Sequence, residues 1–157
     1  MRSVRLMAVL ALTVSAFAAS TSVVLADAEQ NLQVVEGLLA DPTGERDIAD
    51  THHQDVMLRN PVGVFDIEQA AANAETIQAG IPDMQTDIQT IAAGDDWVVV
   101  HYTLSGTFLN DLPNPSDPTQ MVPASGEPFS VDVHTAYIFD EDGLIIHEVQ
   151  SYWWAPI

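Results

Sequence analysis

The 157-residue chain carries 23 acidic side chains against four arginines and no lysine, a formal charge of −19, and it has no cysteine. A field of that sign repels phosphate backbones and anionic lipid, which excludes nucleic acid as a partner. The missing thiols exclude disulfides, thiolate metal sites and cysteine nucleophiles together, so stability must come from an apolar core.

The first residues hold Arg2 and Arg5, an apolar stretch from Leu6 to Leu25 and a small-residue exit at Val24-Leu25-Ala26. This is the layout of a secretory signal peptide over residues 1–26, cleaved after Ala26. The alternative is an uncleaved anchor helix, since the stretch is just long enough to span a bilayer. The expected localisation is periplasmic or secreted, with no membrane association after cleavage. Residues 27–157 then form one domain, a size that supports a single core, and its only cationic side chains are Arg46 and Arg59. Their scarcity reads as solubility in a salt-screened medium rather than as cation binding.

Residues 27–40 place Leu32, Val35, Leu38 and Leu39 on one helical face before an Asp-Pro-Thr-Gly stop. A short helical piece is expected over residues 44–53, followed by a strand through residues 55–61. Residues 66–80 have Asp66 and Gln69 at capping-box spacing, Ile67, Ala70, Ala71, Ala74 and Ile77 on one face, and Gly80 at the end, which predicts another helix.

From Pro82 onward the apolar period changes to two. Two strands flank Ala93-Gly94-Asp95-Asp96 and two more flank Asp140-Glu141-Asp142-Gly143, each pair a hairpin. Between the hairpins, residues 109–128 hold five prolines and form a long loop that could cover a cavity. Helices followed by a run of antiparallel strands describe an α+β layer with one sheet face covered by the helices.

If the last hairpin turns symmetrically about Asp142, Ile138 faces Ile146, Ala136 faces Glu148, His134 faces Gln150 and Asp132 faces Tyr152. A one-residue slip or a bulge would flip a whole strand. On the symmetric register an apolar sheet face becomes polar away from the turn, which is what a one-ended pocket requires. The neighbouring strand offers that face either Trp97, Val99, His101 and Thr103 or the more apolar Val98, Val100, Tyr102 and Leu104. The second choice puts His101 on the surface.

Pro82-Asp83, Gly94-Asp95, the Leu-Ser-Gly-Thr of residues 104–107 and the Asp-Gly-Leu-Ile of residues 142–145, in that order and spacing, resemble the SnoaL-like polyketide cyclase family of the NTF2-like superfamily. Residues 52–61 are also similar to the segment near the pocket mouth of such proteins, so the resemblance covers nearly all of the chain after residue 26. It implies a cone-shaped fold in which a curved antiparallel sheet wraps around N-terminal helices and an internal pocket. It also implies an intramolecular aldol ring closure needing no metal or cofactor, with an aspartate on the last strand as acid/base and a histidine on the adjacent strand. Carried over by spacing from the Asp-Gly turn, the histidine is His134, and Gln150 occupies the aspartate's position. An amide cannot exchange a proton at ordinary pH, so either the base has moved to Asp132 or Glu148 with His134 as proton carrier, or the carried-over spacing is off by one or two residues and Glu148 holds the aspartate's role, or the pocket lacks the reaction.

The candidate catalytic residues are therefore His134, Asp132 and Glu148. Gln150 and Tyr152 are candidates to orient a substrate carbonyl, Trp97 or Trp154 to form apolar wall, and Arg59 and Asn60 to meet the substrate at the mouth. His52 and His53 with Asp55 are read as solvated surface, because adjacent side chains diverge, and no metal site is expected. The aromatic end, Tyr152 to Trp154, suits a cavity wall and a homodimer surface. The expected function is binding of a small, mostly apolar carbonyl compound, with proton transfer of a cyclase or isomerase kind. The alternative is a non-catalytic ligand-binding or dimerisation module of the same fold, and an epoxide hydrolase or dehydratase using Arg59, Asn60 and Asp132 ranks last.

Overall fold

The computed structural model describes residues 15–41, 48–114 and 117–152, with side chains described from Asp27 onward except at 117 and 118. Residues 1–14, most of the expected signal peptide, lie outside the described residues, as do Trp153 and Trp154. Among the described residues no helix is long and apolar enough to cross a membrane.

Helix α1 (Ser15–Ala40) ends in the amphipathic segment expected from the sequence. It buries Asn31, Val35 and Leu39 and packs on β3 (Gln85–Ala93) and β4 (Trp97–Thr107). A single 3₁₀ turn (Ile48–Asp50) leads into β1 (His52–Asn60), which reverses into the short β2 (Gly63–Phe65). The carboxamide oxygen of Asn60 accepts from the backbone N–H groups of Val62 (2.9 Å) and Gly63 (3.1 Å), closing that turn.

Helix α2 (Ile67–Gly80) starts with the capping box read from the sequence. Gln69 N–H donates to the Asp66 carboxylate at 2.9 Å, and the Gln69 side chain returns to the Asp66 backbone. These bonds satisfy two of the donors a helix start leaves open. The helix packs mainly on β1, and the far end of its expected apolar face is solvent-exposed at Ala74 and Ile77.

The main sheet has the order β2-β1-β8-β7-β4-β3, where β7 is Pro128–Phe139 and β8 is Ile145–Tyr152. All pairings are antiparallel except β1 with β8, which run parallel. Asp83, just before β3, accepts the Thr107 N–H at 2.8 Å and ties the start of the β3–β4 hairpin to its far end. The segment expected as a loop contains a separate small hairpin, β5 (Leu112–Asn114) with β6 (Asp117–Val122). Its Leu112 sits against Gly80 at the end of α2, so tightly that a Cβ on Gly80 would fall 2.3 Å from the leucine side chain.

Strict alternation builds the core. Val98, Val100 and Tyr102 of β4 and Val131, Val133, Thr135, Tyr137 and Phe139 of β7 are buried on the helix-facing side, while Val99 and His134 between them are not. Val35, Leu39, Val56 and Ile145 complete this cluster. The even-numbered, more apolar phase of β4 thus faces inward and His101 faces out.

The last hairpin departs from the symmetric register. Asp140 caps its turn by accepting from the N–H groups of Asp142 and Leu144, both at 2.9 Å, and Gly143 takes the positive φ of 78° that a Cβ would oppose. Phe139 pairs with Ile145, but Ile138 pairs with His147, so Ile146 is an extra, unpaired residue. This bulge shifts every later pair by one: Tyr137 faces Glu148, Thr135 faces Gln150 and Val133 faces Tyr152.

Candidate functional site

The bulge at Ile146 decides which side chains can meet. It turns Glu148, Gln150 and Tyr152 toward the helices, beside the inward residues of β7, and leaves His134 and Asp132 on the opposite, outer face. The expected pairing of His134 with Gln150 and of Asp132 with Tyr152 is therefore corrected. His134 and Asp132 do not share a face with Glu148.

The outer face holds other sequence candidates as well. Trp97 is 38 % exposed there, opposite Ile138 and against Gly94, rather than in a cavity wall. Arg59 is exposed on that face in register with Val149, away from the mouth of the inner cavity. Asn60 spends its carboxamide oxygen on the β1–β2 turn. Trp154 lies outside the described residues.

Outer side chains do form contacts of their own. The His101 and His134 rings stack with centroids 4.3 Å apart and planes within 3°. Asp132 accepts from Thr103 Oγ1 at 3.1 Å and stands 3.8 Å from His101 Nε2. A shallow concavity of about 360 Å³ runs over this face along Ala92, Val99, Ala136 and Val149. It opens broadly to solvent, and stacked parallel rings cannot converge on one atom, so it lacks the enclosure that strengthens a polar group's action on a ligand.

Behind the sheet, polar groups stand in a row along β8. Nearest the turn is Glu148, whose Oε2 lies 3.4 Å from Nε2 of the buried His52. The other ring nitrogen, Nδ1, is 3.1 Å from the Ile48 carbonyl and 2.9 Å from Thr51 Oγ1. A carbonyl oxygen only accepts, so the Ile48 contact takes the Nδ1–H tautomer, whereas the Thr51 hydroxyl can donate to Nδ1 and leave Nε2–H to donate to the Glu148 carboxylate. His52 and Glu148 form one hydrogen-bonded pair in which the imidazole is buried and the carboxyl group partly exposed.

One step up the strand, Gln150 Nε2 donates to the Tyr102 hydroxyl oxygen at 2.9 Å, and Thr135 Oγ1 donates to the same oxygen at 3.5 Å. Tyr102, Thr135 and Tyr137 come from the inward phases of β4 and β7. Burial pushes the Tyr137 hydroxyl well above the ordinary tyrosine range, and the nearby Glu148 charge adds to the effect. Burial raises Tyr102 and Tyr152 too. These phenols stay protonated at neutral pH and remain hydrogen-bond donors.

At the top of the row, Tyr152 lines a cavity of about 390 Å³ whose other walls are Val62, Ile81, Phe108, Leu112, Pro113 and Val122. The proline-rich segment thus covers the cavity through its small hairpin. Of the polar row, Tyr152 alone among the described residues stands in this wall, and a chamber so largely apolar suits the apolar body of a ligand. Among the described residues no three His, Asp or Glu side chains converge as a metal site, and His53 meets only Asp55, at 3.9 Å.

Of the sequence candidates, the structure brings Glu148, Gln150 and Tyr152 to the inward face, and beside them stand His52, Tyr102, Thr135 and Tyr137, which the sequence reading did not name. The signal for Tyr102, Thr135 and Tyr137 was present, as hydroxyl-bearing residues in the apolar phases of β4 and β7. His52 offered none, because in an adjacent pair of histidines only the fold decides which one turns inward.

A family model for a SnoaL-like domain matches residues 34–148. No curated protein matches at a significant level. Among solved structures, a candidate SnoaL-like polyketide cyclase from a Jannaschia species superposes with a TM-score of 0.67 at 22% identity, over 80% of this chain and 87% of that one. The candidate polyketide cyclase IdmH from Streptomyces antibioticus gives 0.65 at 20% identity, over 78% and 91%. An NTF2-like protein from Anabaena variabilis gives 0.60 at 15% identity, over 85% and 91%. At these identities the likeness is one of fold, and that fold is the NTF2-like cone expected from the sequence.

Proposed function

Because the chain belongs to the SnoaL-like domain family, we propose that it binds a small, mostly apolar carbonyl compound in its cone cavity and moves a proton on it, as a cofactor-independent cyclase or isomerase does. The observation that carries this reading is the Glu148–His52 pair, 3.4 Å apart at the turn end of the polar row. Glu148 takes the part of base: its carboxylate removes a proton from the carbon beside the carbonyl, the electron pair moves onto the carbonyl oxygen, and the protonated Glu148 returns the proton to the product, with His52 hydrogen-bonded to the carboxyl group and holding it in place. Counted by spacing from the Asp-Gly turn, the resemblance puts Gln150 where the cyclases carry an aspartate, and its amide serves hydrogen bonding alone. Tyr152 and the apolar residues around it hold the body of the ligand. The leader-like residues 1–26 support a site of action in the periplasm or outside the cell.

The test is deuterium exchange at the carbon next to the carbonyl, followed by proton NMR on a panel of small ketones and lactones. Exchange above the buffer rate in the wild type, lost in Glu148→Gln, supports proton transfer. Binding without exchange would leave the second reading, a ligand-binding and dimerisation module.

That second reading has its own observation. The outer sheet face exposes Met57, Trp97, Val99 and Val149 together, and it carries Arg59, His101, His134 and His147 beside Asp132, so opposite charges are available across a contact between two copies. A homodimer through this face is the expectation, and sedimentation of the wild type beside Val149→Glu checks it. A monomeric wild type would remove the dimer from the proposal.

A further inference from the structure

The apolar chamber is open on one side. Among its wall residues Ile81 is buried and Phe108, Leu112 and Tyr152 are half-buried, whereas Val62 is 50 % and Val122 37 % exposed. Leu109 and Met121 extend the apolar surface beyond that opening. Leu109, 49 % exposed, follows the wall residue Phe108 and is fixed by its N–H on the Gly80 carbonyl at 3.0 Å. Met121, 55 % exposed, precedes Val122 and stands across the small hairpin from Pro113, another wall residue. Chamber and rim are thus one continuous apolar surface, of which only the inner part is enclosed.

Charge is missing from this surface. Residues 60–65, 76–82, 104–110 and 119–126, which supply Val62, Ile81, Phe108, Leu109, Met121 and Val122, contain no acid and no base in a chain with 23 acidic side chains. Three acids that border these runs are spent on backbone donors instead. Asp66 accepts from Gln69 at 2.9 Å, and Asp83 and Asp111 accept from Thr107 and Ala124, each at 2.8 Å. A charge-free apolar strip on so acidic a surface is what a desolvated contact with an uncharged ligand requires.

The chamber, about 390 Å³, has room for about a dozen non-hydrogen atoms at the ~30 Å³ share of a water molecule for each. A longer ligand must leave it on the side of Val62 and Val122 and lie across the rim. We propose that Leu109 and Met121, with the exposed parts of Val62 and Val122, form a second subsite that takes the far end of the ligand, and that the ligand is an elongated, uncharged carbonyl compound of the class of a long-chain alkyl ketone. The inference rests on the carbonyl-ligand reading of the cavity and narrows it by length and charge. A methylene moved from water into the chamber raises affinity about three- to fourfold, and one laid on a half-open rim gains about twofold. A charged far end would meet no counter-ion in these runs and would lose hydration.

The experiment is equilibrium dialysis of the protein against straight-chain 2-alkanones from heptan-2-one to pentadecan-2-one, with the double variant Leu109→Asn/Met121→Gln beside the wild type. Undecan-2-one is the homologue that about fills the chamber. Wild-type affinity should rise steeply up to undecan-2-one and more gently beyond it, so that pentadecan-2-one binds roughly 10- to 20-fold more tightly than undecan-2-one. In the double variant the homologues up to undecan-2-one should bind as in the wild type, and the rise should stop there. Each single substitution should remove part of the long-chain gain, which keeps the test open if the double variant does not fold. A wild-type series that itself flattens at undecan-2-one would overturn the rim subsite and leave the cavity reading in place. Equal long-chain gains in the variants and the wild type would also overturn it, and would leave the rim to another occupant such as a second copy of the chain. Failure of every homologue to bind the wild type would overturn the cavity reading and this inference with it.

Discussion

His52 Nε2 lies 3.4 Å from Glu148 Oε2, joining two side chains 96 residues apart where β1 runs parallel to β8. The imidazole is nearly sealed from solvent, with its Nδ1 fixed by the Ile48 carbonyl and Thr51. Glu148→Leu leaves Nε2 buried without a partner and should cost about 1–3 kcal/mol. Glu148→Gln can still hydrogen-bond the ring and should cost about 1 kcal/mol or less, yet it cannot exchange a proton. Urea unfolding should therefore separate the two variants, whereas carbonyl-dependent deuterium exchange should fall in both, by about 10²- to 10⁴-fold. Equal exchange in Glu148→Gln and the wild type would remove Glu148 from the base role.

Much of this arrangement is legible in the sequence. The switch from 3.6-residue to two-residue periodicity at Pro82 gave the helix-then-sheet order, and Asp66 with Gln69 gave the start of α2. The inward phase of β4 followed from Val98, Val100 and Tyr102 being more apolar than Trp97, Val99 and His101. What the sequence concealed was a single residue. Ile146 is apolar, and nothing in its chemistry distinguishes a paired strand residue from a bulge, because the bulge arises where the Asp140-to-Gly143 turn and the core must both be satisfied. That one insertion exchanged His134 and Asp132 for His52 and Tyr102 as neighbours of the last strand's polar groups.

Alkaline pH should reveal the buried phenols. Burial, joined by the Glu148 charge, raises Tyr137 well above its unfolded value near 10. Below pH 10 the phenol is protonated in both states and its contribution is fully present. Above pH 10 the unfolded chain releases a proton that the native state keeps, so stability falls as pH rises toward the native value. Thermal unfolding across pH 8 to 11.5 should show a decline that is shallower in Tyr137→Phe. Identical slopes would mean that the Tyr137 hydroxyl ionises as freely in the fold as outside it.

The mouth of the cavity is set by Gly80. Its carbonyl accepts from the Leu109 and Asn110 N–H groups at 3.0 and 3.1 Å, and the space where a Cβ would stand is filled by Leu112, a cavity wall. In Gly80→Ala the methyl group must displace that side chain. Alanine is the better helix former by about 1 kcal/mol, which offsets part of the crowding. Global stability should thus change little while affinity for an apolar ketone drops several-fold, as isothermal titration beside a melting curve would show. Unchanged affinity would mean that Leu112 moves without reshaping the wall.

Removing Ile146 tests the register itself. Without the extra residue, His147 follows Ile145 directly and the strand alternates without a break, so every later pair can be kept: Ile138 with His147, Tyr137 with Glu148 and Thr135 with Gln150, with Glu148, Gln150 and Tyr152 still facing inward. His52 keeps its Glu148 partner and Tyr102 its Gln150 bond, so neither is left unmet. The deletion should therefore still unfold cooperatively by circular dichroism, at a cost of about 0.5–3 kcal/mol, while Ile146→Val, which keeps the bulge and most of the volume, should cost no more than about 0.5–1.5 kcal/mol. A deletion variant that loses cooperative unfolding would show that the Asp140-capped turn needs the extra residue to bring the last strand into this register.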